Sequence, residues 1–186
     1  MRPAALARFA IVASGLLAAG GSCSFDPVHQ NEVDALGGEQ PSVPQGEFHR
    51  AGQPCVVCHG PEGPAKTQFV MAGTVFAAPD QLVGLPQAEV LLVDSLGSSP
   101  PPGSVVTNCV GNFFITSDLW NPAFPVRVAV VSGQNGEQMI GHIGRDGSCA
   151  DCHKDPRGLD SAGHVFVAAV PPKVSCPVDN VAQVTP

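Results

Sequence analysis

The pattern Cys-x-x-Cys-His occurs twice in this chain, and the repeat constrains the fold more than any other feature of the sequence. The first copy spans residues 55–59 and the second spans residues 149–153. Two cysteines at this spacing reach the two vinyl groups of one porphyrin, and the adjoining histidine binds the iron as its proximal ligand. The repeat therefore predicts two covalently bound haem c groups. The residues involved are Cys55, Cys58, His59, Cys149, Cys152 and His153.

Paired cysteines also serve two other chemistries, and the sequence leaves both open. A zinc site would require the two cysteine pairs to close one tetrahedron. The long stretch between the pairs, and the histidine directly after each second cysteine, favour haem over zinc. A thioredoxin-like dithiol is typical of a βαβ setting. The surroundings here are instead rich in Gly and Pro, with a β pattern.

The first 22 residues have the pattern of an export signal. Arg2 and Arg8 precede an apolar run over residues 9–19 that is too short to span a bilayer as a stable anchor. The run leads into Gly20-Gly21-Ser22-Cys23, which resembles a bacterial lipoprotein signal, although Gly20 stands where such signals usually have Leu. We expect residues 1–22 to be removed and Cys23 to carry lipid. Ordinary cleavage near the same point is the alternative.

The number of cysteines supports lipidation. Of seven cysteines, four belong to the two repeats, and a lipid on Cys23 leaves Cys109 and Cys176. An even pair in an oxidising compartment is expected to form a disulfide. The alternative is that both are buried and reduced. We therefore predict an exported cell-envelope lipoprotein, on the periplasmic face or the cell surface, joined to the membrane through its lipid.

Composition limits the choice of partners. The chain of 186 residues has a net charge of −7, and haem propionates would make it more negative. Such a surface is unsuited to nucleic acid, and any charged partner surface is expected to be basic. The mature length suits one domain with an ordinary core.

The chain divides into five segments, and its pattern predicts a mainly β fold. We expect a small antiparallel β-sandwich flanked by two loop-rich c-type haem-binding segments, with no long amphipathic helix. Short β-type runs alternate with Gly and Pro. The runs are residues 70–76, 88–94, 105–109, 112–116, 126–131 and 164–169. The segments are a signal peptide (1–22), a flexible spacer (23–48), the first haem-binding segment (49–66), the sandwich (67–135), and the second haem-binding segment with a C-terminal strand (136–186).

The middle of the chain resembles the transthyretin-like or carboxypeptidase-regulatory-like β-sandwich. The likeness is carried, over residues 70–132, by Gly73-Thr74-Val75, the run from Gly84 to Asp94, Val106-Thr107-Asn108 and Gly111-Asn112-Phe113. The resemblance implies a scaffold and says nothing about chemistry. With the flanking repeats, the whole chain resembles exported dihaem cytochromes that contain such a sandwich.

The remaining histidines are candidates for the second axial ligand of each iron. His49 lies six residues before Cys55, and His142 lies seven residues before Cys149. At about 3.3 Å per extended residue, either spacing allows the chain to pass around a porphyrin edge. We assign His49 to the first haem and His142 to the second. The alternative distal ligands are His164, His29 and Met139.

These assignments predict an electron carrier rather than an enzyme, because an iron with two protein ligands has no open position for a substrate. The expected partners are other redox proteins or cytochromes, including copies of this chain. A haem enzyme with one open iron site, acting on peroxide or a small nitrogen species, is the first alternative. A binding or structural module whose sandwich contacts sugar or protein, cross-linked by haems, is the second.

Overall fold

The computed structural model describes residues 26–39, 43 and 45–176. Within them the chain is mainly β, with two small antiparallel sheets and three short helices, so the predicted fold class is confirmed. The predicted signal peptide and Cys23 lie outside the described residues. None of the helices in the described part of the chain is long and apolar enough to cross a membrane.

The strands form a two-stranded and a four-stranded sheet. The smaller sheet pairs β1 (Phe69–Thr74) with β4 (Asn112–Thr116). The larger has the order β3-β2-β5-β6. Its strands are β2 (Glu89–Val93), β3 (Ser104–Val106), β5 (Arg127–Ser132) and β6 (Asn135–Gln138).

Strand β2 shows why this part of the sequence folds as a half-buried sheet. Its side chains alternate, with Val90 and Leu92 fully buried and the residues between and beside them exposed. Successive side chains of a strand point to opposite faces, so this pattern covers one face only. Each buried aliphatic side chain stabilises the fold by about 1.5–3 kcal/mol. Both sheets contribute to one core, which includes Met71, Val75, Leu85, Val90, Leu92, Phe113, Ile115, Trp120, Val126 and Val130.

Helix α1 (Pro27–Ala35) lies in the segment that we predicted to be a flexible spacer. Asp26 caps it, because one carboxylate oxygen accepts from the backbone N–H of Val28 at 2.9 Å and of His29 at 3.3 Å. Proline at the first position is favourable, since that N–H has no partner within a helix. The Asp-Pro pair was therefore a local helix signal within this segment.

The other predicted runs differ from the structure mainly at the ends of strands. Five of the six runs overlap a strand, and residues 112–116 match β4 at both ends. The run over residues 164–169 forms only an isolated bridge between Phe76 and Phe166. Strand β6 was not predicted, because Asn-Gly-Glu-Gln is polar and exposed and pairs only through its neighbour β5.

Strand β1 is bordered on both edges by segments from later in the chain. β4 lies along one edge. On the other, the N–H of Ala72 donates to the carbonyl of Gly147 at 2.9 Å, and that of Phe76 donates to Val165 at 2.8 Å. These bonds bring the second repeat to the same strand that the first repeat contacts.

Cys109 and Cys176 form a disulfide, with their Cα atoms 5.5 Å apart. It joins the turn before β4 to the C-terminal segment. The cross-link therefore ties the part of the chain after the second repeat to the sandwich.

Candidate functional site

Both cysteine repeats lie on short helices that pack against β1. The first forms α2 (Cys55–His59) and the second forms α3 (Cys149–Cys152). Gly73 allows α3 to approach closely, because a Cβ at this position would lie 2.7 Å from Sγ of Cys149. The two repeats are distant in sequence but share one strand as their support.

A loop after the first repeat holds His59 by one ring nitrogen. Nδ1 of His59 donates to the carbonyl of Thr67 at 2.8 Å; since a carbonyl can only accept, Nδ1 carries the proton. The same loop donates from the N–H of Ala65 to the carbonyl of Cys58 at 2.9 Å. A Cβ on Gly63 would overlap the Cys58 carbonyl, so this close approach requires glycine.

The second repeat has the same arrangement. Nδ1 of His153 donates to the carbonyl of Gly163 at 2.8 Å, and the N–H of Ala162 donates to Cys152 at 2.9 Å. Ser161 is buried and steadies this loop, since its hydroxyl accepts from the N–H groups of Lys154 and Gly163.

The shared pattern determines which ring nitrogen is available. In each repeat the carbonyl of the second cysteine and Nδ1 of the histidine are bound by one following loop. A hydrogen bond from Nδ1 to a carbonyl fixes the tautomer and leaves Nε2 with a lone pair for a metal. Both repeats therefore present a histidine prepared for axial ligation.

His49 lies beside His59, as its assignment to the first haem requires. Their ring centroids are 5.9 Å apart, with an angle of 66° between the planes. Two imidazoles on opposite sides of one metal are separated by roughly 6 Å between centroids, because each metal–nitrogen bond is about 2 Å long. The separation of this pair therefore fits an iron between the two rings.

The small sheet holds His49 in this position. The side-chain amide of Asn112, at the start of β4, donates to the carbonyls of His49 at 3.0 Å and Glu47 at 3.3 Å. Its oxygen accepts from the hydroxyl of Thr74 at 2.7 Å, and that hydroxyl in turn accepts from the N–H of Gly52 at 2.7 Å. Paired residues of β1 and β4 thus fix the chain on both sides of His49.

The environment of His49 favours its neutral form. Burial lowers the pKa of His49 below its usual value of 6.5, and His59 and Arg50 lower it further, whereas Glu39 raises it. Oε2 of Glu39 lies 3.5 Å from Nδ1 of His49, an electrostatic contact rather than a hydrogen bond. A histidine must be neutral to bind a metal, so the lowered pKa suits this role.

The first repeat lines a cavity of about 860 Å³. This volume lies in the upper part of the range for cofactor sites, about 300–1,000 Å³. Both cysteines of the repeat, His59 and His49 are among the lining residues. Apolar walls come from Val33, Leu36, Phe69 and Phe113, and the charged lining residues are Arg50, Lys66, Glu39 and Glu47. The apolar walls fit the faces of a haem, and Lys66 is a basic group for an acidic propionate, whereas Arg50 is already paired with Glu39 at 3.3 Å.

A second cavity, of about 800 Å³, lies between α1, α2 and the segment before α3. His29, Arg145 and Asp151 are among its lining residues. Nε2 of His29 is buried and, within the described residues, has no hydrogen-bond partner. Burial and Asp146 raise the pKa of Asp151 to about 7, burial being the larger cause.

The other predicted ligands lie in different surroundings. His142 is exposed in the loop between β6 and α3. His164 is buried and stacks on Phe76 with centroids 4.4 Å apart, and across the part of the chain described here its Nδ1 has no hydrogen-bond partner. Met139 is half-buried and extends the β6 pairing through Val128. The assignment of His142 to the second haem stays a prediction.

The first cysteine of each repeat is half-buried. Burial raises the pKa of Cys55 to about 11 and that of Cys149 to about 12, and the nearby Cys55 thiol also raises the value for Cys149. The attacking cysteine of a redox dithiol has a lowered pKa instead. Among the described residues, no three His, Cys, Asp or Glu side chains converge to hold a metal ion by themselves. The raised pKa values of Cys55 and Cys149 therefore do not fit the dithiol alternative.

Several residues that organise the site were absent from the sequence-based prediction. Thr67 and Gly163 act through backbone carbonyls, which carry no residue signature. Thr74 and Asn112 were noted only as parts of the sandwich, and nothing local indicated that they reach residues 47–52. Phe69 lies in the predicted sandwich segment, one residue before its first β run, and nothing local connected it with the site.

Comparison of the chain with protein-family models, with curated proteins and with solved structures found no match.

Proposed function

We propose that this protein is a dihaem c-type cytochrome that carries single electrons between exported redox partners. The observation that carries the proposal is the repeated arrangement of two Cys-x-x-Cys-His helices, each with Nδ1 of its histidine bound to a loop carbonyl. A disulfide-exchange site does not require the hydrogen bond between the histidine Nδ1 and the loop carbonyl. In haem attachment it orients the proximal ligand.

Each haem would be held by its own set of residues. Cys55 and Cys58 would attach the first haem, with His59 and His49 as its axial ligands. Cys149 and Cys152 would attach the second, with His153 as proximal ligand and His142 as the predicted distal one. Bound haem supplies a one-electron couple, and the chain sets its potential through the axial ligands and their hydrogen bonds.

The proposal includes a membrane tether and basic partners. The sequence before α1 carries the lipoprotein-like signal ending at Cys23, and the chain has a net charge of −7. Complementary charge would steer a basic partner and speed its association. The intact mass of the mature protein should show acyl groups on Cys23, and Cys23→Ser should release a soluble form. A mature N-terminus elsewhere, without lipid, would exclude the tether.

A count of haems tests the cytochrome proposal directly. Protein produced with haem-attachment machinery should carry two haems per chain that survive acid-acetone extraction, measured by pyridine haemochrome spectra and intact mass. Cys58→Ala should remove stable attachment of one haem only, while the matched variant Cys109→Ser should keep both. A colourless protein with four free thiols in the repeats would refute the proposal.

The exposure of His142 favours one other function. If the exposed His142 does not bind the second iron, that iron has an open position, as in an enzyme that acts on peroxide. A high-spin signal from one haem in the resting ferric protein, with rapid peroxide turnover, would support the enzyme. Two low-spin haems without turnover would support the carrier.

A further inference from the structure

The imidazole of His59 is held by two different contacts. The hydrogen bond from Nδ1 to Thr67 directs the ring within its own plane. Phe69 covers one face of the ring, with centroids 4.1 Å apart and only 8° between the planes. The first contact fixes where Nε2 points, and the second restricts rotation about that direction.

Phe69 is itself fixed from behind. Phe114 stacks on its other face, with centroids 4.7 Å apart and 17° between the planes, and is 38% exposed. The register of the β1–β4 pair shifts between Phe69 and Met71. Such a bulge turns one side chain away from the regular alternation and is common beside functional sites. Phe69 lies at this irregularity and stacks with both Phe114 and His59.

We propose that Phe69 is a positioning residue for the first haem, which sets the rotational orientation of the proximal imidazole. This inference rests on the proposed function. The orientation of an axial imidazole determines how its π orbitals overlap with those of iron. That overlap affects the electron paramagnetic resonance spectrum of low-spin ferric haem and its reduction potential, in addition to the effect of ligand type. A residue that only filled space would affect neither.

Three variants separate orientation from packing. Phe69→Leu keeps an apolar side chain but removes the flat face, and Phe69→Tyr keeps that face. Phe114→Leu removes the outer ring without touching His59. Each is made in the full-length, haem-loaded protein, whose haem content is measured first.

We expect Phe69→Leu to keep two haems while one of the two low-spin resonance signals shifts and the midpoint potential of that haem changes. Phe69→Tyr should restore the wild-type signal. Phe114→Leu should shift the signal less than Phe69→Leu does, because it removes the ring that supports Phe69 but keeps the ring that contacts His59. A two-haem Phe69→Leu protein with wild-type resonance and potentials would overturn the inference alone, whereas wild-type protein without covalent haem would overturn the proposed function.

A measurement on wild-type protein covers the case in which Phe69→Leu does not fold. In the ferrous, diamagnetic protein, nuclear Overhauser effects should connect the ring protons of one phenylalanine with an axial imidazole. Phe69→Tyr replaces the para proton of ring 69 by a hydroxyl. If the connected ring is that of Phe69, the cross-peak from this proton disappears in the variant, which assigns the phenylalanine. If the connected ring is not that of Phe69, the inference is refuted.

Discussion

The side-chain amide of Asn112 donates to the backbone carbonyl of His49 at 3.0 Å, across 63 positions of the chain. The sandwich therefore determines where a candidate iron ligand lies, although the ligand precedes the sandwich in sequence. Asn112 is buried, and its oxygen is already bonded to Thr74, so the amide has little freedom to turn.

The His49→Ala variant should convert one haem to a high-spin form that binds carbon monoxide, because one iron loses its distal ligand. Covalent attachment should be unchanged, since Cys55 and Cys58 remain. Ferric absorption spectra and carbon monoxide difference spectra measure this. An unchanged low-spin spectrum would remove His49 from the ligand set.

The corresponding test for the second haem is His142→Ala, which should make the other haem high-spin. His164→Ala is the matched comparison, since His164 is buried whereas His142 is exposed. If only the His164 variant changes the spectrum, our assignment for the second haem is wrong while the carrier proposal stands.

The Asn112→Ala variant should lower the free energy of unfolding by about 1–3 kcal/mol, because buried polar groups near Thr74 and His49 lose their partner. It should also produce a partly high-spin first haem, since His49 is less well placed. Asn135→Ala is the control, because Asn135 also donates to a backbone carbonyl, that of Ala168 at 2.8 Å, but is exposed. Equal spectral effects of both variants would contradict a positioning role for Asn112. Urea denaturation and ferric spectra provide the two measurements.

Replacing Gly73 by alanine should affect the second repeat more than the first. The added Cβ would lie 2.7 Å from Sγ of Cys149, so α3 must move or the strand must shift. Overpacking of this kind costs about 1–3 kcal/mol. We expect a lower yield of the second haem, measured by intact mass. Gly136→Ala is the control, since its nearest contacts would be 3.5 Å away; full two-haem occupancy in Gly73→Ala would show that the strand can absorb the change.

Removing the disulfide should destabilise the fold without removing haem. The cross-link between Cys109 and Cys176 closes a loop of sequence separation 67. Loss of a native disulfide typically lowers the free energy of unfolding by about 2–5 kcal/mol. The variant with both cysteines changed to serine should show this decrease in chemical denaturation and keep two haems. Wild-type stability in this variant would mean that the cross-link adds nothing to the fold.

Asp94 should make the stability dependent on acid pH. Its carboxylate accepts from the backbone N–H groups of Ala123, Ser98 and Leu96. These bonds, that from Ala123 first, hold the pKa of Asp94 below its ordinary value of 3.8. Because the folded-state pKa is depressed, the stabilisation is fully present above about pH 4–5 and is lost as the pH falls through the folded-state pKa.

Denaturation of Asp94→Asn at pH 7 and at pH 3 tests this dependence. The variant should be less stable than wild type at pH 7, and the difference should narrow at pH 3. The exposed Asp80→Asn provides a control for the loss of one negative charge. A difference that stays constant with pH would show that the Asp94 carboxylate is not responsible.

The sequence predicted the parts of this fold that depend on local pattern. The β-type runs over residues 88–94 and 112–116 are local patterns, and they located β2 and β4 correctly. Helix α1 was missed although its Asp-Pro cap is local, because its helical face is weakly apolar. Strand β6 depends on its partner β5 rather than on its own polar residues, and no pattern within it could indicate a strand. Residues 164–169 do have a β pattern, but they form only an isolated bridge at Phe166.

The candidate site also combines residues that the local sequence identifies with placements that depend on distant parts of the chain. The cysteines and the two motif histidines are contiguous, and their spacing is sufficient to recognise them. The position of His49 beside His59 follows from a hydrogen bond made 63 residues later in the chain. The stack of Phe69 on His59 follows from an irregularity in strand pairing. Neither could be inferred from neighbours in the sequence.

The register of the β1–β4 pair determines how both repeats are supported. Thr74 lies opposite Asn112 in this register and reaches the first repeat, while Gly73 lies opposite Phe113 beneath the second. A slip of one residue would exchange the faces of the strand. It would place a side chain against Cys149, where Gly73 now lies, and would remove the Thr74 hydroxyl that accepts from the N–H of Gly52. One misalignment of this strand pair would therefore disturb the supports of both repeats at once.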